Sequence, residues 1–306
     1  SWHYAFFINV PVCLALMVLL LVGLSDQKPK LDELIEADWL GIAGLALGLG
    51  GLTVVLEEGN REQWFESTLI WQLTAVTVLG FVLIGLGQLY ARRPVIKLAL
   101  LRNRTFAAVF VLALILGVVL YGTAYVIPQF LAAIAGYNAM QAGQVVFISG
   151  IPAMMMMPLF PILLSRFDLR LIVATGLLLM MASCYIDTSL TADSTGSDFV
   201  DSQLLRGLGQ VLSMMFLNQA AIAAVRPDEA GDASGLFNAA RNLGGSIGLA
   251  LLATVQERRL DYHHWTLNSA LGNNDLAVQD WVSSTSATFG GGPDGLAAAI
   301  RQIDNT

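Results

Sequence analysis

The chain has 306 residues, of which 56% are hydrophobic and only 13% charged, with a formal net charge of −7. A soluble domain typically carries ~25% charge, so most of this surface must face lipid or other apolar helices. The acidic balance also excludes a nucleic-acid binder, which presents a basic face. Eight apolar runs follow one another, each about as long as a ~30 Å hydrocarbon core requires. The first covers 4–24. The second, 39–56, is glycine-rich, with Gly44 and Gly48 at the small-xxx-small spacing that lets helices approach closely. The third is 69–90. The fourth, 106–127, carries Tyr121 and Tyr125, with Gln129 one turn further. The fifth, 141–164, holds four consecutive methionines between Pro152 and Pro158, then Pro161, so it is expected to bend. The sixth is 169–190. The seventh, 200–225, contains Arg206, Asn218 and Gln219. The eighth, 233–254, contains Asn238, Arg241 and Asn242 and repeats the glycine spacing at Gly244 and Gly248.

Continuous apolar runs, rather than ~10-residue alternation, predict helices, which satisfy their own backbone in lipid. The fold class is therefore an all-α membrane protein, a polytopic helical bundle. Cys13 and Cys184 both fall inside spans and read as packing residues, with no disulfide framework implied. The chain opens at Ser1 almost directly in an apolar run. It reads as an internal piece of a longer polytopic protein.

Loop charge gives an orientation, because short cytoplasmic loops collect Lys and Arg. Loop 91–105 holds Arg92, Arg93, Lys97, Arg102 and Arg104 and no acid. The loops on the same side add Lys28, Lys30, Arg166, Arg170 and Arg226. The opposite short loops hold Arg61 among several acids. Residue 1 and the tail after 254 are expected outside, and the chain is expected to be multi-pass.

Ionisable and polar groups inside spans are functional candidates, because burying charge in lipid costs a few kcal/mol. Asn238, Arg241 and Asn242 share one helical face at i, i+3, i+4. That stripe reads either as a gate or latch, with Asp232 or Asp228 as partner, or as a hydrogen-bond node that holds the helix start. Arg206, near the end of its span, has Asp187 and Asp201 as candidate partners. Tyr121, Tyr125, Gln129, Asn218 and Gln219 suit a substrate cavity with aromatic faces and a few hydrogen-bonding groups; helix packing is the alternative for the tyrosines. No metal-ligand spacing, nucleophile–base set or phosphate-binding loop is visible, so no cofactor and no enzymatic activity are implied.

Three stretches resemble a known family. Trp2-His3-Tyr4-Ala5-Phe6-Phe7-Ile8-Asn9-Val10-Pro11 is similar to the opening of the sixth helix of the 14-span drug:proton antiporters of the major facilitator superfamily, the EmrB-like multidrug exporters. His3 and Tyr4 stand where the family usually has Arg and Trp. Asp38-Trp39-Leu40-Gly41, with the glycine run to Gly51 and then Glu57-Glu58-Gly59, resembles the seventh helix and its exit. The stretch from Glu229 to Gly248 resembles the twelve-to-thirteen connection and the start of helix thirteen. The resemblance covers residues 2 to about 260. It implies that 1–24 is the last helix of the N-terminal half and that 25–105 holds two extra linker helices and the basic cytoplasmic loop. On the same reading 106–254 supplies five helices of the C-terminal half, and 255–306 is a periplasmic loop. It further implies proton-coupled efflux of drug-like or amphiphilic small molecules across the inner membrane. The implied partners are small-molecule substrate, protons, the lipid bilayer and, outside the membrane, an adaptor and outer-membrane channel. The same fold could instead export a metabolite, siderophore or antibiotic. A non-transporting membrane scaffold or membrane enzyme is the reading from another class.

Overall fold

The structure is a computed structural model that describes residues 7, 9–23, 38–91, 94–191, 194–272, 283–288, 290, 292 and 295. It is helical in each segment expected to span. Helix α1 (Asn9–Gly23) is apolar throughout, and none of its residues is buried. The opening motif around Trp2 and His3 lies outside the described residues.

Helix α2 (Trp39–Glu58) and helix α3 (Thr68–Tyr90) form an antiparallel pair. Asp38 caps α2, accepting hydrogen bonds from the amides of Gly41 at 2.7 Å and Val95 at 3.3 Å. The carboxylate thereby fills one orphan donor at a helix start and ties the loop that follows α3 to it. Gly44 and Gly48 do allow close approach, and their partner is Gly80: a Cβ built there would lie 2.1 Å from the Gly48 nitrogen.

Helix α4 (Arg104–Ala133) runs through Pro128, past the expected end at 127. Asn103 caps it, accepting from the Thr105 amide at 3.0 Å, and also donates to the Ala224 carbonyl at 2.8 Å. The fifth span is broken, as its prolines require. It comprises α5 (Ala139–Ile148), α6 (Gly150–Met156), a 3-10 turn (Met157–Leu159) and α7 (Phe160–Arg166). Helices α8 (Leu169–Asp187), α9 (Val200–Ala223) and α10 (Ala230–Gly272) complete the bundle. Helix α10 continues well past 254, where hydropathy ends. No glycine or proline separates Gly248 from Gly272, so the apolar run stops before the helix does.

Among the described residues, α2, α3, α4, the broken span Ala139–Arg166 and α8 are long and apolar enough to cross a membrane. Helices α9 and α10 are long but more polar. For α9 the packing explains why: it contacts α4, α6, α8 and α10 and buries Ser202, Gln203, Arg206 and Ser213 against them. These four polar groups meet protein instead of lipid. The core joins Phe106, Leu116, Phe216 and Phe237 from three helices. Lipid-side positions such as Val78, Leu171 and Met181 leave large apolar side chains exposed. Helices α4 and α10 touch along glycines: a Cβ at Gly117 would lie 2.0 Å from the Arg241 carbonyl oxygen, and one at Gly244 would lie 2.0 Å from that of Leu114. Helix α2 packs on another face of α10.

Candidate functional site

Helix α10 presents a polar row, and three other helices answer it. Asn242 Oδ1 accepts from the Tyr121 hydroxyl on α4 at 3.0 Å and from Arg241 Nη2 at 3.3 Å. Arg241 Nη1 donates to Met214 Sδ on α9 at 3.6 Å, while its Nε is buried with no partner among the described residues. One turn beyond Asn242, Ser246 donates from Oγ to Glu57 Oε1 at the end of α2, at 3.1 Å. Nearly three turns further on, Gln256 Nε2 donates to Gln129 Oε1 at 2.9 Å. Asn238 turns back on its own helix and donates to the Ser234 carbonyl at 2.9 Å.

The expected pairing of Arg241 with Asp232 or Asp228 does not form. Nine residues of helix, a rise of ~14 Å, separate Arg241 from Asp232. Asp232 is held instead by Lys97 Nζ at 2.8 Å, and Asp228 lies 3.8 Å from Arg226 Nε. The Tyr121 ring lies against Gly245, where a Cβ would come within 2.6 Å of the ring. Tyr125, one turn on, is exposed. Asn218 and Gln219 are half-buried on α9 and form no side-chain hydrogen bond among the described residues. Asn218 stands one turn from Met214, so it shares the side that meets Arg241.

Arg206 pairs with Asp187 through Nη2 and Oδ2, joining α9 to α8, while Asp201 is exposed. The pair borders a cavity of about 370 Å³ that is otherwise almost wholly apolar, lined by Val118, Gly122, Val126, Phe130 and Leu252. Arg206 Nε and Nη1, Asp187 Oδ1 and Gln203 Nε2 are buried without hydrogen-bond partners among the described residues. On α4 these cavity residues centre roughly 80° around the helix from Tyr121, Tyr125 and Gln129, with Val118 at the edge the two faces share. The cavity and the polar row are adjacent faces of the same helix.

A third cluster closes the turn between α9 and α10. Lys97 bridges to Asp232, and Arg226 Nη2 meets Glu229 Oε1 at 2.9 Å. The hydrogen bond from Arg226 holds the Glu229 carboxyl below its ordinary value, and the bond to Asp232 raises Lys97.

A family model described as Major Facilitator Superfamily matches residues 1–249. The chain belongs to that superfamily. It is similar to the multidrug export protein EmrB of Escherichia coli K12, 30% identical over 88% of this chain and 53% of that protein. The colistin resistance protein EmrB of Acinetobacter baumannii is 27% identical over 92% of the chain and 54% of its own length. The fatty acid resistance protein FarB of Neisseria gonorrhoeae is 27% identical over 86% and 52%. The chain thus spans about half the length of the curated relatives it matches. The described residues form an all-helical bundle of that superfamily, as the resemblance at Asp38–Gly59 and Glu229–Gly248 implied.

Proposed function

We propose that this chain is part of a proton-driven exporter of drug-like or amphiphilic small molecules in the inner membrane, and that it supplies one wall of the transport cavity. The observation that carries the reading is the polar row Tyr121–Asn242–Arg241 with Ser246–Glu57, set among otherwise apolar helices of a superfamily chain. Transporter sites lie near the midplane between repeats, built from groups that would otherwise be costly in lipid. The relatives' names, which speak of multidrug export and of colistin and fatty acid resistance, support an amphiphilic cargo. On this reading 1–24 closes the N-terminal half, 25–105 holds the extra hairpin, and 106–254 belongs to the C-terminal half. A periplasmic adaptor and outer-membrane channel would complete the route. Tyr121, Tyr125 and Asn242 contact cargo, and Arg241 changes partners between inward and outward states.

The test is drug accumulation in a sensitive host that expresses the intact reading frame encoding this chain. Accumulation of amphiphilic dyes should fall, and an uncoupler should restore it. Unchanged accumulation across a broad dye panel contradicts the reading.

A further inference from the structure

The sequence places Glu57 in the exit loop of the second span. The structure puts it elsewhere. Glu57 lies in the last turn of α2, inside a helix apolar enough to cross a membrane, and its carboxylate reaches Ser246 on α10 at 3.1 Å. Ser246 is only 3% exposed and stands sixteen residues, ~24 Å, along α10 from Ala230. The hydrogen bond therefore sits within the bundle's span. Glu57 itself remains exposed, and no cation pairs with it among the described residues: Arg61, the nearest in sequence, pairs with Glu58 and Glu62. Its neighbourhood is defined. Ser246 and Asn242 stack at i, i+4, about 5–6 Å apart between Cβ atoms, and Asn242 holds the Tyr121 hydroxyl at 3.0 Å. The face of α10 at Asn242 is thus flanked by an aromatic ring from α4 and a free carboxylate from α2. Arg241 does not neutralise that carboxylate. It lies five residues from Ser246, roughly 140° around the helix, and its guanidinium is taken up by Met214 Sδ and Asn242 Oδ1, with no ion pair to Glu57.

We infer that Glu57 is a charge-selecting residue of the cargo path: its carboxylate, contributed by the hairpin outside the C-terminal half, receives the positive end of an amphiphilic monovalent cation whose apolar body lies on Tyr121 and Tyr125. At the end of an apolar helix a carboxylate with only a hydroxyl partner favours a nearby cation, and aromatic faces beside it favour one of low hydration. The hydrogen bond from Ser246 occupies only Oε1 and fixes the direction of the group. The inference rests on the exporter reading above, and it adds a specificity determinant from the α2–α3 pair.

The experiment uses everted membrane vesicles carrying the intact reading frame, an imposed proton gradient, and two probes of matched size and opposite charge, tetraphenylphosphonium and tetraphenylborate. Transport is normalised to folded protein. The wild type should prefer the cation. Glu57→Gln should lower the cation-to-anion ratio by about tenfold. Glu57→Asp should keep part of the preference, and Ser246→Ala, which leaves the carboxylate in place, should keep most of it. An unchanged ratio in Glu57→Gln, or equal loss of both probes, overturns the assignment while leaving the exporter reading intact. A wild type that moves neither probe nor any dye overturns the exporter reading and this inference with it.

Discussion

Arg241 and Arg206 show how differently two arginines inside long helices can be held. Arg206 has a carboxylate partner, and both groups are largely buried. Removing one partner of such a pair costs about 3–5 kcal/mol, whereas replacing both with apolar groups is often tolerated. Arg206→Ala or Asp187→Leu should therefore lower the thermal stability of the purified protein sharply, and the double variant Arg206→Met/Asp187→Leu should recover most of it. Recovery of stability without recovery of transport would give the pair a part in gating. Arg241 has no carboxylate within ion-pair distance among the described residues, only a sulfur and an amide oxygen. Such weak ties suit a group that exchanges partners. Arg241→Ala should lower export per folded molecule by about tenfold with near-normal membrane levels. Arg241→Lys should rescue only part, since lysine lacks the forked guanidinium. Unchanged transport per folded molecule would remove Arg241 from the mechanism.

At the scale of elements, glycine decides which helices touch. Gly117 and Gly244 seat α4 against α10 with their own backbones in contact, and no side chain fits there. Gly244→Leu should part the helices, break the Tyr121–Asn242 hydrogen bond and reduce folded yield severely, since overpacking costs 1–3 kcal/mol or more. Gly231, with nothing near its Cβ position, is the matched control and should tolerate alanine. The turn between α9 and α10 depends on charge. Glu229 is held below the ordinary 4.5, so its contribution is present above that value and is lost as pH falls through the lowered one. Lys97 is raised above the ordinary 10.5, so its contribution is present below that value and is lost as pH rises through the raised one. Hydrogen-exchange protection across Arg226–Asp232 should stay flat between 4.5 and 10.5 and fall on either side. A loss centred near neutral pH would contradict the assigned pairs.

For the whole molecule, the helix positions, five membrane-crossing helices among the described residues, the proline-broken fifth span and the close-packing glycines were legible in the sequence, because hydropathy, proline and glycine act locally. The partners were not. Tyr121 with Asn242 and Glu57 with Ser246 are 121 and 189 residues apart, and helical periodicity tells which face a residue occupies but not which helix answers it. Glu57 was missed because the helix outlasts the apolar run by two residues, ending at Glu58. The extension Asn238, Asn242, Ser246 at four-residue steps was a signal that could have pointed to it. Loop charge also makes a testable statement about the bilayer. Arg61 and Arg102 are exposed and stand in loops expected on opposite sides. In intact cells a cysteine at Arg61 should react with an impermeant thiol reagent and one at Arg102 should not.

The most direct test of the central claim compares two proteins in everted vesicles under an imposed proton gradient: the intact reading frame and residues 1–306 alone. The measurement is proton release on addition of an amphiphilic dye, read beside dye uptake. The intact protein should release protons and take up dye together, and residues 1–306 should insert yet do neither, because the cavity needs its other wall. Coupled uptake by residues 1–306 alone, or an intact protein that moves neither dye nor protons, would contradict the account.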